Sequence, residues 1–451
     1  MEFRDKTILV LGAGISGLAV AQLLQQIGAQ VTLSDVKSME TINQDISNLQ
    51  QAGVKLALGC QDETLLAGVN LVVVSPGISI NIPLIKAAQA KGIEVVSEIE
   101  VAYHLCRASI IAITGTNGKT TTTTLLGEML KTNGRSVVVG GNIGQALSQE
   151  VAGIADTGIV VAEISSFQLE GVKEFHPYIV AILNITPDHL DRHGSMEGYI
   201  AMKERIFANQ TANDYVILNY DDNTVRNMAA KVSSKVMFFS RLTKLPEGIF
   251  VQDGMIKISW QGNTVDVCRI EAMQIRGSHN VENALAACGA AFLAGVKAAD
   301  MATTLQKFAG VEHRIEPVAT IGQVAYYNDS KATNPESAIK ALEAFPGHII
   351  LIAGGRDKNT NLVEFISLVK ERVDHLILLG EAQERFGTLA KQYGVSNIHY
   401  VDSLQAAVQL AHSIAQVPQV VLLSPACASY DMFANYEERG TRFKELVNEL
   451  S

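Results

Sequence analysis

The chain has 451 residues, 47% of them hydrophobic and 18% charged, which is enough for two or three domains with sizeable cores. A formal net charge of −10 without a long Lys/Arg run argues against a general nucleic-acid binder, so an acidic ligand would need a local basic pocket. The five scattered cysteines form no CxxC pair and point to neither a zinc site nor a disulfide framework. The start MEFRDK and the short apolar strand after it make neither a signal peptide nor a membrane span, and a cytoplasmic protein is expected.

Residues 6–28, KTILVLGAGISGLAVAQLLQQIG, read as strand, glycine turn and helix. Gly12, Gly14 and Gly17 form GxGxxG, so the backbone of Gly14, Ile15, Ser16 and Gly17 can face a diphosphate at a helix N-terminus. Asp35 ends the next strand, QVTLSD, where a ribose-binding acid would sit, and Lys37 follows it. This motif specifies a diphosphate and not a hydride donor. A nicotinamide dehydrogenase, a UDP-type ligand and a purely structural turn all satisfy it.

A second strand, turn and helix occupies residues 110–134, IIAITGTNGKTTTTTLLGEMLKTNG. Gly115, Thr116, Asn117, Gly118, Lys119, Thr120 and Thr121 make a GxxGKT loop, a shortened Walker A with Ile113 where the first glycine would stand. Its backbone N–H groups can cradle phosphate, Lys119 can reach the β- and γ-phosphates, and the Thr120 hydroxyl can ligate magnesium. Five threonines in succession are mediocre helix formers, so helix propensity alone does not account for them. The helix is expected to stop at Asn133-Gly134.

Buried parallel strands continue through SVVVGGN, IVVAEISS, YIVAILNI and DYVILNY. Glu163 falls at a strand end and His189 follows a strand and its turn. Lys203 lies in a helical stretch, MEGYIAMKERIF, where the residues alone suggest a solvated lysine. Residues 248–270, GIFVQDGMIKISWQGNTVDVCRI, alternate like antiparallel hairpins with turns at Asp253-Gly254 and Gly262-Asn263. Asn280 and Asn283 lie three apart at a helix start, where capping by Ser278 or Asn280 is the plainer reading. A third α/β unit opens near GVEHRIEP and continues through HIILIAGG, HLILLG and QVVLLSPA.

Nine segments, in order and spanning nearly the whole chain, resemble the Mur ligases: GTNGKTT, GGNIG, AEISSFQL, NITPDHLDRH, GSHNVENALAA, EHRIE, NDSKATNPES, GGRDKN and LSPACASYDMFANYEERG. The resemblance implies an α/β protein of three domains: a Rossmann-like UDP-substrate domain at 1–97, a central P-loop ATPase-type domain with a small antiparallel part at 98–312, and a Rossmann-like amino-acid domain at 313–451. It also implies ATP-driven joining of D-glutamate to UDP-N-acetylmuramoyl-L-alanine in peptidoglycan synthesis. A sister ligase adding another amino acid is the nearest rival. A dehydrogenase, from another class, leaves Lys119, Glu163 and Lys331 without a task.

By the same resemblance, ATP is held by residues 115–121, by Asn280 and Asn283 at adenine, and by Arg314 and Asp329 at phosphate and ribose. The UDP-substrate is held by the first glycine turn, Asp35, Lys37, Asn142 and His189. D-Glutamate is held by Lys331, Thr333, Lys358, Ser429 and Tyr436. Two magnesium sites draw on Thr120, Glu163, His189 and a carbamylated Lys203. Lys119, Asn142, His189 and Lys203 carry the catalytic roles. Neither nucleic acid nor membrane is an expected partner, and a monomer is expected.

Overall fold

The structure, a computed structural model, describes residues 1–39, 42, 46–357 and 360–450. Three sheets follow one another along the chain. The first holds β1 (Thr7–Leu11), β2 (Gln30–Asp35), β3 (Lys55–Leu58), β4 (Leu71–Val74) and β5 (Glu94–Ser97), all parallel in the order β3-β2-β1-β4-β5. Continuous runs such as TILVL and LVVV suit strands covered on both faces. The strand order reverses between β1 and β4, which puts the turn after β1 at the crevice where open α/β sheets bind ligands.

The second sheet holds β6 (Ser109–Thr114), β7 (Val137–Gly141), β8 (Ile159–Glu163), β9 (Ile179–Ile182), β10 (Tyr215–Asn219), β11 (Lys235–Ser240), β12 (Gly248–Gln252), β13 (Met255–Trp260) and β14 (Asn263–Arg269). Its order is β14-β13-β12-β11-β10-β9-β6-β8-β7, with parallel pairing from β7 to β12. The β12-β13-β14 meander is antiparallel, as the alternation predicts. Asp253-Gly254 turns the first hairpin with both φ positive. The second turn is Gln261-Gly262 and not Gly262-Asn263, because Asn263 already pairs with Trp260 in the ladder. The register Ile113↔Glu163 and Gly141↔Glu163 brings the C-terminal ends of β6, β7 and β8 level. Residues just beyond those ends therefore meet.

The third sheet holds β15 (Glu316–Ile321), β16 (Val324–Asn328), β17 (Ile349–Gly354), β18 (Val373–Leu379), β19 (Ile398–Tyr400) and β20 (Val420–Leu423), in the order β15-β16-β20-β17-β18-β19 with only β15 antiparallel. The contacts divide the chain into two compact units. One comprises Met1–Ala272 with Glu282–Gln306, and the other Met273–Val281 with Lys307–Ser451.

Within the first unit, two buried glutamates tie the first two sheets together. The Ser148 N–H donates to Glu98 Oε1 at 2.6 Å, and Glu100 accepts the N–H groups of Lys173, Glu174 and Phe175 at 2.9, 2.7 and 3.1 Å. The core of the second sheet is built from Ile110, Ala112, Val160, Ala162, Val180 and Ile182, which fixes the strands whose ends carry the site. Among the described residues no helix is long and apolar enough to cross a membrane.

Candidate active site

The GxxGKT loop leaves β6 and enters the helix Lys119–Lys131, whose N-cap Gly118 has φ +84°. A Cβ at Gly118 would strike Asn283 Oδ1, so both the left-handed backbone and the close approach require glycine. Asn184, beyond β9, clamps the loop from the side. Its Oδ1 accepts the Asn117 N–H at 2.8 Å and its Nδ2 donates to the Asn117 carbonyl at 3.0 Å. Thr116 Oγ1 donates to the Thr186 carbonyl at 3.1 Å and lies 3.2 Å from the Tyr199 hydroxyl. Lys119 Nζ lies back over the loop, donating to the carbonyls of Gly115 and Thr116 at 2.9 and 2.8 Å. The helix ends at Lys131 with Gly134 in the left-handed region, where the Asn-Gly pair predicts.

Lys203 is not the solvated lysine that its helix pattern suggests. It occupies the last turn of Met196–Glu204 with 1% of its surface exposed. Its Nζ donates to the Gly115 carbonyl at 2.9 Å and to Thr114 Oγ1 at 3.3 Å, and it stands 4.8 Å from the centre of the Tyr199 ring. Two lysines therefore converge on one carbonyl. Burial, with the Lys119 charge beside it, holds the Lys203 amine well below the usual lysine range. Burial also pushes the Tyr199 hydroxyl up to about 12.

Glu163 ends β8 and is buried. Its Oε1 accepts the Asn142 side-chain N–H at 2.8 Å, and its backbone carbonyl accepts the Asn142 N–H at 2.8 Å. Its Oε2 is buried with no hydrogen-bond partner among the described residues. An unpartnered carboxylate oxygen inside the protein calls for a cation. A carboxylate near the hydroxyl-rich helix start is a hard oxygen donor set suited to Mg²⁺, so these residues fit the metal that a triphosphate brings. His189 has φ +53°, a half-exposed ring 4.6 Å from that of Phe167, and its Nε2 3.5 Å from an Asp188 carboxylate oxygen.

At the first glycine turn the helix Ile15–Gln26 starts at Gly14, with Gly14 and Ile15 exposed and Gly17 packed against the Gly12 carbonyl. Asp35 Oδ2 accepts the Ala13 N–H at 2.7 Å and Oδ1 accepts the Lys37 N–H at 2.9 Å. The carboxylate thus braces the glycine turn itself, while the Lys37 side chain is exposed.

In the second unit, Arg314, Asp329 and Lys331 line one pocket with His279, Ser337 and Lys340. Asp329 follows β16. It accepts the Ser424 hydroxyl at 2.7 Å and the Ile315 N–H at 3.3 Å, and burial pushes its carboxyl up to about 7. His279 is held neutral, its pKa lowered to about 3 by burial beside the Arg314 and Lys340 charges. Ser429 is buried, Thr333 is half-buried, and Lys331 Nζ stands 5.6 Å from the Tyr436 ring. Lys358 lies outside the described residues. Asn280 belongs with this unit, and Asn283 with the first. Asn280 Nδ2 donates to the Arg276 carbonyl at 2.7 Å, and Ser278 is the first helical residue and not a cap.

Reading the sequence misses Asn184, Tyr199, Asn328 and Arg439. Asn184 and Asn328 each stand at the end of a strand run, and both, like Arg439, lie within the segments that resemble the Mur ligases. Asn328 Nδ2 reaches His313 Nδ1 at 2.9 Å and Glu316 Oε2 at 3.0 Å.

Three family profiles match the chain: the Mur ligase MurD-like N-terminal domain over residues 6–97, the Mur ligase middle domain over 113–291, and the Mur ligase glutamate ligase domain over 313–427. The chain belongs to the Mur ligase family. Within it, the chain is 47% identical over 449 residues to the UDP-N-acetylmuramoylalanine–D-glutamate ligase of Pelotomaculum thermopropionicum, covering 100% of this chain and 99% of that one. It is 46% identical over 452 residues to the ligase of the same name from a Thermoanaerobacter species, covering 100% of both. Among solved structures, a UDP-N-acetylmuramate-alanine ligase from Thermotoga maritima aligns with a TM-score of 0.61 at 18% identity, over 99% of this chain and 100% of that one. A pseudomurein peptide ligase from Methanothermus fervidus aligns at 0.60 and 19%, over 99% and 100%. These structures share the three-domain α/β fold.

Proposed function

We infer that the chain is an ATP-dependent ligase that adds D-glutamate to UDP-N-acetylmuramoyl-L-alanine in peptidoglycan synthesis. The observation that carries this reading is the full-length identity of 47% to a D-glutamate ligase. The chemistry explains the two glycine turns. A carboxylate resists an amine because oxide is a poor leaving group. Transfer of the γ-phosphoryl group of ATP to the acid gives an acyl phosphate and ADP. The amine of D-glutamate attacks the acyl carbon, the tetrahedral adduct loses phosphate, and an amide remains. The main burden is crowded negative charge, which fixed cations and backbone dipoles must offset.

In this reading residues 115–121 grip the triphosphate, with Lys119 leaving its two carbonyls to neutralise it. Asn280, Asn283, Arg314 and Asp329 serve the rest of the nucleotide. The turn Gly14–Gly17, Asp35, Lys37, Asn142 and His189 serve the UDP-substrate. Lys331, Thr333, Lys358, Ser429 and Tyr436 receive the two carboxylates of D-glutamate. Thr120, Glu163, His189 and Lys203 would hold magnesium at two sites, and the metal would supply charge neutralisation at the transferring phosphoryl group. We assign Lys203 as carbamylated, because a buried amine shifted toward its neutral form is the nucleophile that CO₂ requires, and the product would be an anion beside Lys119. The proposed domains are 1–97, 98–312 and 313–451, since β5 ends at Ser97 and β15 begins at Glu316. The proposed assembly state is a monomer. Dependence on ATP and a UDP-linked precursor supports a cytoplasmic location.

The test is phosphate release from ATP–Mg²⁺ with UDP-N-acetylmuramoyl-L-alanine, one amino acid at a time. Release is expected with D-glutamate. Release with L-glutamate or meso-diaminopimelate but not with D-glutamate overturns the assignment.

A further inference from the structure

Arg439 sits in the helix Tyr436–Asn448 with 3% of its surface exposed, yet among the described residues no carboxylate forms an ion pair with it. Its five hydrogen bonds all go to neutral acceptors. Nε donates to Ser330 Oγ at 2.9 Å and Nη2 to the Ser330 carbonyl at 2.8 Å. Nη1 and Nη2 both reach the Cys427 carbonyl at 3.2 Å, and Nη1 reaches the Ala428 carbonyl at 3.3 Å. Ser330 Oγ in turn donates to the Tyr436 carbonyl at 2.8 Å. Gly355 closes over the guanidinium: a Cβ there would lie 3.3 Å from Nη1 and collide with the Ala428 carbonyl.

A buried charge without an ion pair is costly, and it persists where its geometry or its field is used. Two features of this arrangement are specific. The guanidinium bridges two loops, one running through Ser330 into Lys331 and Thr333, the other through Cys427 and Ala428 into Ser429. It is also a buried positive charge behind both loops, hydrogen-bonded only to neutral groups, with the Asp431 and Asp329 carboxylates acting on it from beyond ion-pair distance. A planar fork of five N–H donors makes all these bonds at once in one fixed geometry, whereas a lysine offers at most three from a single nitrogen.

We propose that Arg439 is a positioning residue for the amino-acid subsite: it sets the loops that carry Lys331, Thr333 and Ser429 at a fixed spacing and adds a buried positive field that favours a dicarboxylate ligand. This rests on the D-glutamate reading above. Arg439 does not touch the ligand in this account. It acts through the two loops, and its loss should fall on one substrate only.

The wild-type enzyme is assayed first with D-glutamate, and failure there defeats the functional reading, not this inference. Arg439→Lys keeps the charge and the apolar stem but loses the fork. It is expected to raise KM for D-glutamate by about tenfold or more, the loss from charged hydrogen bonds, with KM for ATP and for the UDP-substrate within about twofold. Ser330→Ala removes the Nε acceptor and the hydroxyl's own bond to the Tyr436 carbonyl but keeps the Ser330 carbonyl, and should raise KM for D-glutamate about threefold with the protein still folded. A folded Arg439→Lys with unchanged KM for D-glutamate, or with all three KM values raised together, overturns the proposal. If that variant does not fold, Ser330→Ala decides alone, and an unchanged KM for D-glutamate in it overturns the proposal.

Discussion

At the scale of single residues, burial dictates the chemistry that Lys203 and Asp329 can perform. Lys203 is enclosed beside a second lysine, so its neutral form is favoured. Lys203→Ala is expected to be nearly inactive and partly restored by added formate or acetate, which can stand where a carbamate would. Full activity of the unsupplemented variant, measured by phosphate release, would remove the carbamate. Asp329 shows the opposite sign: its ordinary value of 3.8 rises to about 7 in the folded protein. The folded state then holds its proton more tightly than the unfolded chain does. That contribution to stability is full below about pH 4 and is lost as the pH rises through about 7. Asparagine cannot titrate, so Asp329→Asn should gain melting temperature relative to wild type at pH 8 more than at pH 5. Equal shifts at the two pH values would show that Asp329 is not raised. Neither burial was legible in the sequence: the helix pattern around Lys203 reads as solvated, and nothing beside Asp329 along the chain announces Ser424.

At the scale of elements, strand register assembles the phosphate grip. The loop after β6, Glu163 at the end of β8 and Asn142 after β7 meet because their strands end level. Motif spacing identified the loop and its helix, since a glycine turn between a β-branched run and a helix start is a local signal. The clamp was not local: Asn184 holds Asn117 across 67 residues. Asn184→Ala leaves the loop's N–H and carbonyl without this partner, and each such hydrogen bond contributes about 1 kcal/mol. Steady-state kinetics should show KM for ATP raised about tenfold with UDP-substrate binding unchanged. An unaltered KM for ATP would mean that the loop holds its shape alone. The small hairpins show the limit of turn reading. The alternation predicted all three strands, but the second turn fell one residue earlier, because Asn263 gained a ladder partner.

At the scale of the whole molecule, the first unit depends on carboxylates that join two sheets. Glu100 accepts three backbone N–H groups from residues 173–175, and His104 Nε2 lies 3.2 Å from its Oε1. Glu100→Ala strands three donors at about 1–3 kcal/mol each when buried. It should lower the melting temperature of the protein while the specific activity of the folded fraction stays within about twofold. A variant that melts like wild type would show the junction to be held by apolar packing instead. No local pattern announces this junction, because Glu100 and Lys173 lie 73 residues apart in otherwise ordinary helix and loop patterns.

By itself the sequence determined the α/β class, the two glycine turns, the antiparallel insert and the family. Each is written in local periodicity, in turn residues or in ordered motifs, which neighbouring residues along the chain specify. Only the tertiary structure decided that Lys203 is buried, that Asp35 braces its own glycine turn, that Glu163 keeps one oxygen unpartnered, and that Arg439 spans two loops. Those outcomes depend on desolvation and on hydrogen bonds between residues far apart in the chain, and such energies exist only once the strands have been brought level.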